Sequence, residues 1–211
     1  KIYCLDLDCY HYFKDKYKYN EIELVDSIEN NNFDLSNWYE YKACQNPDII
    51  GKNNWSSITK YKIIVIHNEL KNNNDVIFID GDIVILNDFI DDLYSNIENS
   101  DIIIQNDECD KGVEKACTGF FLIKSNKNTI NLTNINKINL NNFNNDQQYI
   151  RTLDNKLSFK FLDLDKYPNG GYYRKHQPKN PNIIHFNYDV GVEKISRIKK
   201  YKLWYLEKNV F

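Results

Sequence analysis

The apolar positions of this chain fall into short runs, separated by stretches in which apolar residues return every three or four positions. Short apolar runs bounded by polar or turn-forming residues predict β-strands, which are buried when the run is unbroken. Seven runs of this kind are IYCLDLD, IELVD, VIFIDGDIVIL, DIIIQND, CTGFFLIKS, SFKFLDLD and NIIHFNY, which begin at residues 2, 22, 76, 101, 117, 158 and 182.

Helical spacing is clearest in the segment that ends near residue 72. Its apolar residues Ile63, Ile66 and Leu70 share one face of a helix, and Ser56 or Ser57 can cap its first turn. Further helices are predicted at residues 9–18, 86–97 and 146–154, and from about Val192.

Strands and helices alternate along the whole chain, which predicts an α/β fold. The expected architecture is an α/β/α sandwich around a mostly parallel sheet, formed by one domain over residues 1–211. Residues 27–54 follow neither pattern and predict a long irregular segment. No proline-rich linker or internal repeat marks a domain boundary.

Composition and charge narrow the possible classes of protein. Hydrophobic residues make up 42% of the chain, enough for a sizeable core, and the net charge of −3 argues against nucleic acid as a partner. No apolar run approaches 18 residues, so no membrane span is expected in this chain. The five cysteines are odd in number and lack a Cys-x-x-Cys pair, which favours free thiols in a reducing compartment such as the cytoplasm.

The amino-acid usage predicts an AT-rich genome, such as that of a large DNA virus. The chain contains 32 Asn and 27 Ile but only 3 Arg and 7 Gly, and Asn and Ile have AT-rich codons. The asparagine runs at 30–32, 72–74 and 141–145 are therefore interpreted mostly as drift in exposed loops.

The first candidate for chemistry is Asp80-Gly81-Asp82, within VIFIDGDIVIL. Two acids at i and i+2 of an extended strand point to one face, where they repel unless a cation or proton lies between them. Oxygen ligands at the end of a sheet strand suit Mg²⁺ or Mn²⁺ with a phosphate-bearing ligand. Gly81 would let such a ligand approach the backbone. The alternative is an ordinary Asp-Gly turn.

A second candidate is the segment IIHFNYDVGVEK. His185 ends an apolar strand, where its imidazole can join a metal site, although a histidine satisfied within the core is the simpler interpretation. Gly191 and Lys194 follow at a spacing that would let backbone N–H groups and an ammonium meet a phosphate.

Two further motifs have structural alternatives. Thr118-Gly119 precedes an aromatic-rich strand and is also explained by packing. Asp146 and Gln147 open a predicted helix, and an N-cap explains Asp146 equally well.

Taken together, these motifs resemble the nucleotide-diphospho-sugar transferase family, whose members are glycosyltransferases of the GT-A fold. NDVIFIDGDIVIL is similar to the family's Asp-x-Asp strand, and Lys62 lies where the family carries a lysine on the preceding helix. The resemblance spans about residues 1–205, and the other motifs that carry it are TGFFLIKSN, NDQQYI, DKYPNGGYY, HFN with the following Gly and Lys, and Trp204.

The sequence departs from the family pattern in two places. Cys117 stands where an asparagine commonly precedes the Thr-Gly step. IYCLDLDCYHYF resembles the family's second strand and helix, so the first strand and helix, with part of the nucleotide pocket, would lie before Lys1. The resemblance therefore implies an N-terminally incomplete domain.

The resemblance also implies an activity and a set of site residues. The chain would move a hexose or pentose from a UDP-sugar to a glycan, protein or lipid acceptor, with retention of anomeric configuration. Mn²⁺ or Mg²⁺ would be held by Asp80, Asp82 and His185, with Asp146 and Gln147 as catalytic residues and Asp107 near the acceptor. The residues expected to bind the nucleotide-sugar are Lys62, Asp80, Gly81, Thr118, Gly119, Gly191 and Lys194.

Two alternatives of other classes remain. VIFIDGDIVIL also fits a haloacid-dehalogenase phosphatase, in which Asp80 would be the nucleophile and Asp82 the acid and base. That class needs a later acidic pair, which has no plausible equivalent in this sequence. A non-catalytic module that binds sugar nucleotides is the other alternative.

Overall fold

The structure is a computed structural model, and it describes residues 2–4, 7–16, 22–24, 53–134, 136–139 and 142–204. The segment predicted to be irregular lies outside these residues, except that its last two residues begin a helix. The described strands are β1 (Ile2–Cys4), β2 (Ile22–Leu24), β3 (Val76–Ile79), β4 (Ile83–Ile85), β5 (Ile102–Asn106), β6 (Ala116–Ile123), β7 (Phe159–Phe161) and β8 (Ile183–His185). The described helices are α1 (Leu7–Lys16), α2 (Asn53–Lys71), α3 (Ile90–Ile97), α4 (Lys127–Thr133), α5 (Asp146–Arg151), α6 (Gly170–His176) and α7 (Gly191–Lys200).

The described strands form three groups. The central sheet has the order β3-β6-β5-β7, while β1 pairs with β2 in parallel and β4 pairs with β8 in antiparallel. In the central sheet β3, β5 and β7 point in one direction and β6 runs against both of its neighbours. Only residues 107–115 connect β5 to β6, and a parallel crossover needs a dozen residues or more. The short connection therefore makes β6 antiparallel.

Helices cover both faces of the central sheet, which confirms the predicted α/β sandwich. On one face of the sheet, side chains of β5 and β6 pack with α2 and α5, and on the other face they pack with α3. The first set is Ile102, Ile104, Ala116, Phe121 and Ile123, and the second is Ile103, Phe120 and Leu122. All thirteen residues of β5 and β6 are buried. This two-sided burial explains why both strands appear as unbroken apolar runs rather than alternating ones.

The prediction of one strand over residues 76–86 is wrong. The strand ends at Ile79, the chain turns through Asp80–Asp82, and β4 begins at Ile83. The N–H of Ile83 donates to the carbonyl oxygen of Asp80 at 3.2 Å and closes the turn. The turn sends the chain from the central sheet to the β4–β8 pair, so its two acids lie where these two sheets meet.

Two described helices were not predicted from the sequence, and asparagine caps explain both. The Asn126 side chain accepts backbone N–H groups at the start of α4, and Asn169 does the same for α6. Short helices with few apolar residues depend on such caps more than on an apolar stripe. Among the described residues, no helix has both the length and the apolar content that crossing a bilayer requires.

Candidate metal centre and active-site cleft

Three side chains converge at the junction of the two sheets. Asp80 follows β3, Asp82 precedes β4, and His185 ends β8, where it pairs in register with Ile83. One ligand atom from each of the three side chains lies within 4.8 Å of the others. The Nε2 atom of His185 is 3.2 Å from Oδ1 of Asp82 and 3.9 Å from Oδ2 of Asp80. Strand pairing therefore brings together residues that lie about a hundred positions apart.

Gly119 makes this convergence possible. A Cβ atom at this position would lie 2.1 Å from Cε1 of His185 and 2.8 Å from Oδ2 of Asp80. Its carbonyl oxygen also accepts the backbone N–H of Asp80 at 2.7 Å. Glycine at position 119 is thus explained by two candidate metal ligands, His185 and Asp80, which approach the backbone where a Cβ atom would lie.

Lys62 links the metal ligands to the next part of the site. Its Nζ atom lies 3.2 Å from Oδ1 of Asp80, 2.9 Å from Oδ2 of Asp146 and 2.9 Å from the carbonyl oxygen of Thr118. Burial lowers the pKa of Lys62, but the charges of Asp146 and Asp80 outweigh it and raise the pKa above its ordinary value. Lys62 is therefore a charged, buried link between the two acids.

We expect Lys62→Met to destabilise the fold. The substitution keeps a long, unbranched side chain but leaves the carboxylate of Asp146, only 4% exposed, without its cation. Breaking a buried pair in this way costs about 3 kcal/mol, the lower end of the usual range because Asp80 is partly exposed. Urea unfolding measures the change. Lys71→Met, at the exposed end of the same helix, is the control and should cost less than about 1 kcal/mol. A Lys62→Met protein as stable as the wild type would contradict this role.

Asp82 has a cation of its own. The Nζ atom of Lys194 lies 2.6 Å from Oδ2 of Asp82. Burial raises the pKa of Asp82, but the hydrogen bonds and charges of His185 and Lys194 outweigh it and hold the pKa well below its usual range. Lys194 lies in the first turns of α7, which begins at Gly191 with a positive φ of 53° and has no side-chain cap. Val190 and Gly191, at the start of this helix, and Lys194 all line the cleft.

Asp107 is the centre of a second polar network. Its Oδ2 accepts Nη2 of Arg151 at 2.8 Å and Nε2 of Gln147 at 3.2 Å, and its Oδ1 accepts Nδ2 of Asn187 at 3.2 Å. The Oε1 atom of Gln147 accepts the backbone N–H of Thr118 at 3.2 Å. Gln147 therefore joins the Asp107 network to the Thr-Gly step.

Asp146 is the first residue of α5. The N-cap is Asn145, whose side chain accepts the N–H of Gln148, so the N-cap interpretation of Asp146 is wrong. The Asp146 side chain is buried against Lys62.

A fifth acid, Asp189, fixes the loop between β8 and α7. Its Oδ1 atom lies 2.6 Å from Nε of Arg197 on α7 and 3.2 Å from Nη1 of Arg174 on α6. The carboxylate is almost fully buried. This pairing ties the start of α7, with Gly191 and Lys194, to the neighbouring helix.

The acids Asp80, Asp82, Asp107, Asp146 and Asp189 border one open cleft of about 1710 Å³, together with Lys62, His185 and Lys194. Each of the twelve residues predicted as site residues lines it: Lys62, Asp80, Gly81, Asp82, Asp107, Thr118, Gly119, Asp146, Gln147, His185, Gly191 and Lys194. For Gly81, a Cβ atom would have no protein atom within 4 Å, so protein packing gives no reason for glycine there.

Four further residues shape the site, although the sequence did not indicate them as site residues: Gln105, Asn169, Asn187 and Asp189. Asn169 donates to the carbonyl oxygens of Asn106 and Glu108 and fixes the end of β5. Gln105 lies two positions before Asp107, on the same predicted strand end, and that spacing was the one signal that could have indicated it.

The donor set fits a divalent cation. Lys62 pairs with Oδ1 of Asp80, and Lys194 pairs with Oδ2 of Asp82. The second oxygen of each carboxylate faces Nε2 of His185. Two carboxylate oxygens and an imidazole nitrogen suit Mn²⁺, and such a set is also compatible with other divalent metals. A carboxylate oxygen 3.2 Å from an imidazole nitrogen is favourable only with a proton or cation between the two atoms.

The fold and the cleft define an α/β protein of the GT-A type. Residues 23–198 match the family model described as nucleotide-diphospho-sugar transferase, and the chain belongs to that family.

The proteins that are similar to it include one galactosyltransferase and one glycosyltransferase of known structure. The UDP-galactose:fucoside alpha-3-galactosyltransferase of Dictyostelium discoideum is 24% identical over 250 aligned positions, which cover 97% of this chain and 38% of that protein. The chain thus spans well under half the length of this relative. A crystal structure of a glycosyltransferase involved in the glycosylation of the major capsid of PBCV-1 has a similar fold, with a TM-score of 0.50 and 12% identity over 90% of this chain and 88% of that one.

Proposed function

We propose that this chain transfers a hexose or pentose from a UDP-sugar to a glycan, protein or lipid acceptor, with Mn²⁺ or Mg²⁺ as the cofactor. The observation that carries the proposal is the convergence of Asp80 Oδ2, Asp82 Oδ1 and His185 Nε2 beside Lys194 and the uncapped start of α7. Family membership supplies the class of donor.

The proposal places the cation between these three side chains. When bound, it would act as a Lewis acid on the diphosphate that leaves the sugar. Lys194 and the N–H groups at Gly191 would contact the same diphosphate, because an ammonium and a helix start both stabilise negative charge. In the structure Lys194 is paired with Asp82. When the donor binds, the ammonium of Lys194 would leave the carboxylate of Asp82 and pair with the diphosphate.

The sugar would lie towards Thr118, Gly119 and Gln147. These residues border the cleft next to the metal ligands. Gln147 has its amide fixed by Thr118 and Asp107, which suits an oriented polar contact with a sugar hydroxyl. The burial of Asp146 against Lys62 favours a positioning role for this acid, through Lys62 and Asp80, over direct contact with the donor.

We propose that the reaction retains anomeric configuration and needs no strong protein base. An oxygen of the leaving phosphate would take the acceptor's proton. Asp107 is the acid nearest to an acceptor in this scheme, although three donors already bind its two oxygens. The acceptor would then contact the Asp107 network as a whole rather than a free carboxylate.

The first donor to test is UDP-galactose, and the first acceptor is a fucoside. Both come from the name of the Dictyostelium relative. Because this chain spans 38% of that protein, a panel with UDP-glucose, UDP-xylose and UDP-N-acetylglucosamine belongs in the same experiment.

Family membership argues against the phosphatase alternative. A non-catalytic module would share the metal site and would differ only in the absence of turnover with every donor and acceptor.

Calorimetric titration with UDP tests the proposal. We expect binding in Mn²⁺ and much weaker binding in EDTA, because the diphosphate would otherwise face the carboxylates of Asp80 and Asp82 without a cation between them. Equal affinity in both buffers, or binding in neither, would overturn the metal-dependent proposal. Turnover of one sugar donor then separates an enzyme from a binding module.

A further inference from the structure

Gln105, on β5, is buried behind His185 and has no exposed surface. Its Oε1 atom lies 2.6 Å from Nδ1 of His185, and its Nε2 atom donates to the carbonyl oxygen of Tyr167 at 3.1 Å. The metal ligand is therefore held from behind by a residue that the metal itself would not contact.

The orientation of the Gln105 amide follows from its partners. A backbone carbonyl oxygen only accepts hydrogen bonds, so the NH₂ group must face Tyr167 and the Oε1 atom must face His185. Oε1 also only accepts, so a hydrogen bond at 2.6 Å requires a proton on Nδ1 of His185. Sγ of Cys117 also contacts Nδ1, at 3.8 Å, but a thiol sulfur is a weak donor and acceptor, so Gln105 at 2.6 Å is the stronger partner.

The backbone on both sides of this contact is also fixed. The N–H of His185 donates to the carbonyl oxygen of Pro168 at 3.1 Å, next to the carbonyl group that accepts Gln105. The Tyr167-Pro168 segment therefore sets both the backbone position of His185 and, through Gln105, the orientation of its ring.

We propose that Gln105 is a positioning residue for the metal centre, which keeps a proton on Nδ1 of His185 and so presents Nε2 to the cation. A histidine ligand generally donates its other ring N–H to an outer partner, which fixes the tautomer and the ring orientation. Without Gln105, the proton would move to Nε2, where Oδ1 of Asp82 at 3.2 Å accepts it and the metal position is blocked. The proposal rests on the proposed metal-dependent function, but the proton position can be measured without it.

The experiment uses nitrogen-15 NMR of the histidine rings in the metal-free protein and in saturating Mg²⁺, which is diamagnetic. His185→Asn identifies the His185 signals among the four histidines. We expect a protonated Nδ1 in the wild type under both conditions. A wild-type spectrum in which Nδ1 carries no proton would overturn the proposal, whatever the variants do.

Two substitutions separate positioning from packing. Gln105→Met fills a similar volume without an acceptor, so its metal-free spectrum should show the proton on Nε2. Its affinity for Mn²⁺ should fall about 10–100-fold, as expected for loss of an outer partner. Gln105→Glu keeps an acceptor oxygen towards Nδ1 in either protonation state and should retain the proton there. A folded Gln105→Met protein with wild-type Mn²⁺ affinity and Nδ1 protonation would overturn the proposal.

Thr129→Val is the control for a general loss of stability. Thr129 is fully buried and donates to the carbonyl oxygen of Lys124, in a region outside the cleft. The Thr129→Val substitution should lower the unfolding temperature and leave the proton of His185 on Nδ1. If the wild type binds no Mn²⁺ at all, the proposed function fails, whereas the proton position in the wild type and in Gln105→Glu still decides the role of Gln105.

Discussion

Asp82→Asn is expected to remove metal-dependent binding of UDP while the protein stays folded. The substitution keeps the shape of the side chain but removes the charge that both His185 and Lys194 contact. A neutral amide is a poor ligand for Mn²⁺, and its NH₂ group would face either Nε2 of His185 or Nζ of Lys194. The affinity for UDP in Mn²⁺ should fall at least about 100-fold, the upper end of the effect of losing an outer partner.

Calorimetry with UDP, in Mn²⁺ and in EDTA, measures this change. Asp91→Asn is the matched control, because Asp91 is exposed on α3, outside the cleft, and loses the same charge. Circular dichroism establishes that both variants fold. A folded Asp82→Asn protein that still binds UDP more tightly in Mn²⁺ than in EDTA would remove Asp82 from the metal centre.

Gly119→Ala is expected to disrupt the same site without changing any ligand. The added Cβ would lie 2.1 Å from Cε1 of His185, where carbon atoms normally approach to 3.5–4.0 Å. Gln105 and the carbonyl oxygen of Pro168 hold His185 in its position, so relief of the clash would break these contacts. Misplacing a ligand by about 1 Å or more should lower Mn²⁺ affinity at least about 100-fold, and overpacking should destabilise the fold by about 1–3 kcal/mol.

Gly81→Ala gives the comparison for Gly119→Ala. Gly81 lies between the two acids, yet its added Cβ would meet no protein atom within 4 Å, and its backbone does not require glycine. The affinity of the Gly81→Ala protein for Mn²⁺, measured without UDP, should equal that of the wild type. Equal Mn²⁺ affinity of the two alanine variants would show that the close approach at Gly119 does not control the metal centre.

The sequence predicted that Asp80, Asp82 and His185 converge, but not the turn and the strand pairing that bring them together. Asp80 and Asp82 were placed on one face of a continuous strand, whereas they occupy a turn between strands of two different sheets. Strand alternation is a local property, and the pairing of β4 with β8 is not. The register that places His185 beside Ile83 depends on contacts about a hundred residues apart in sequence, which no local pattern contains.

The high asparagine content also prevented the prediction of two local structures, a helix cap and a left-handed residue after a helix. The run at 141–145 was interpreted mostly as drift, but Asn145 caps the helix that presents Gln147. In the run at 72–74, Asn73 adopts a left-handed conformation with a φ of 59°, directly after α2. Asparagine is among the residues best suited to both positions. With 32 asparagines in the chain, composition alone does not separate a functional cap from a neutral substitution.

The contacts of the arginines predict which basic residues homologues should keep. All 3 arginines of the chain, against 24 lysines, form ion pairs with acids that border the cleft: Arg151 with Asp107, and Arg174 and Arg197 with Asp189. In an AT-rich genome, codon bias favours replacement of arginine by lysine. Lysine cannot reproduce the planar, branched donor group of arginine. Selection would therefore act against that replacement at these three positions, so homologues with similar base composition should keep arginine here while they exchange basic residues freely elsewhere.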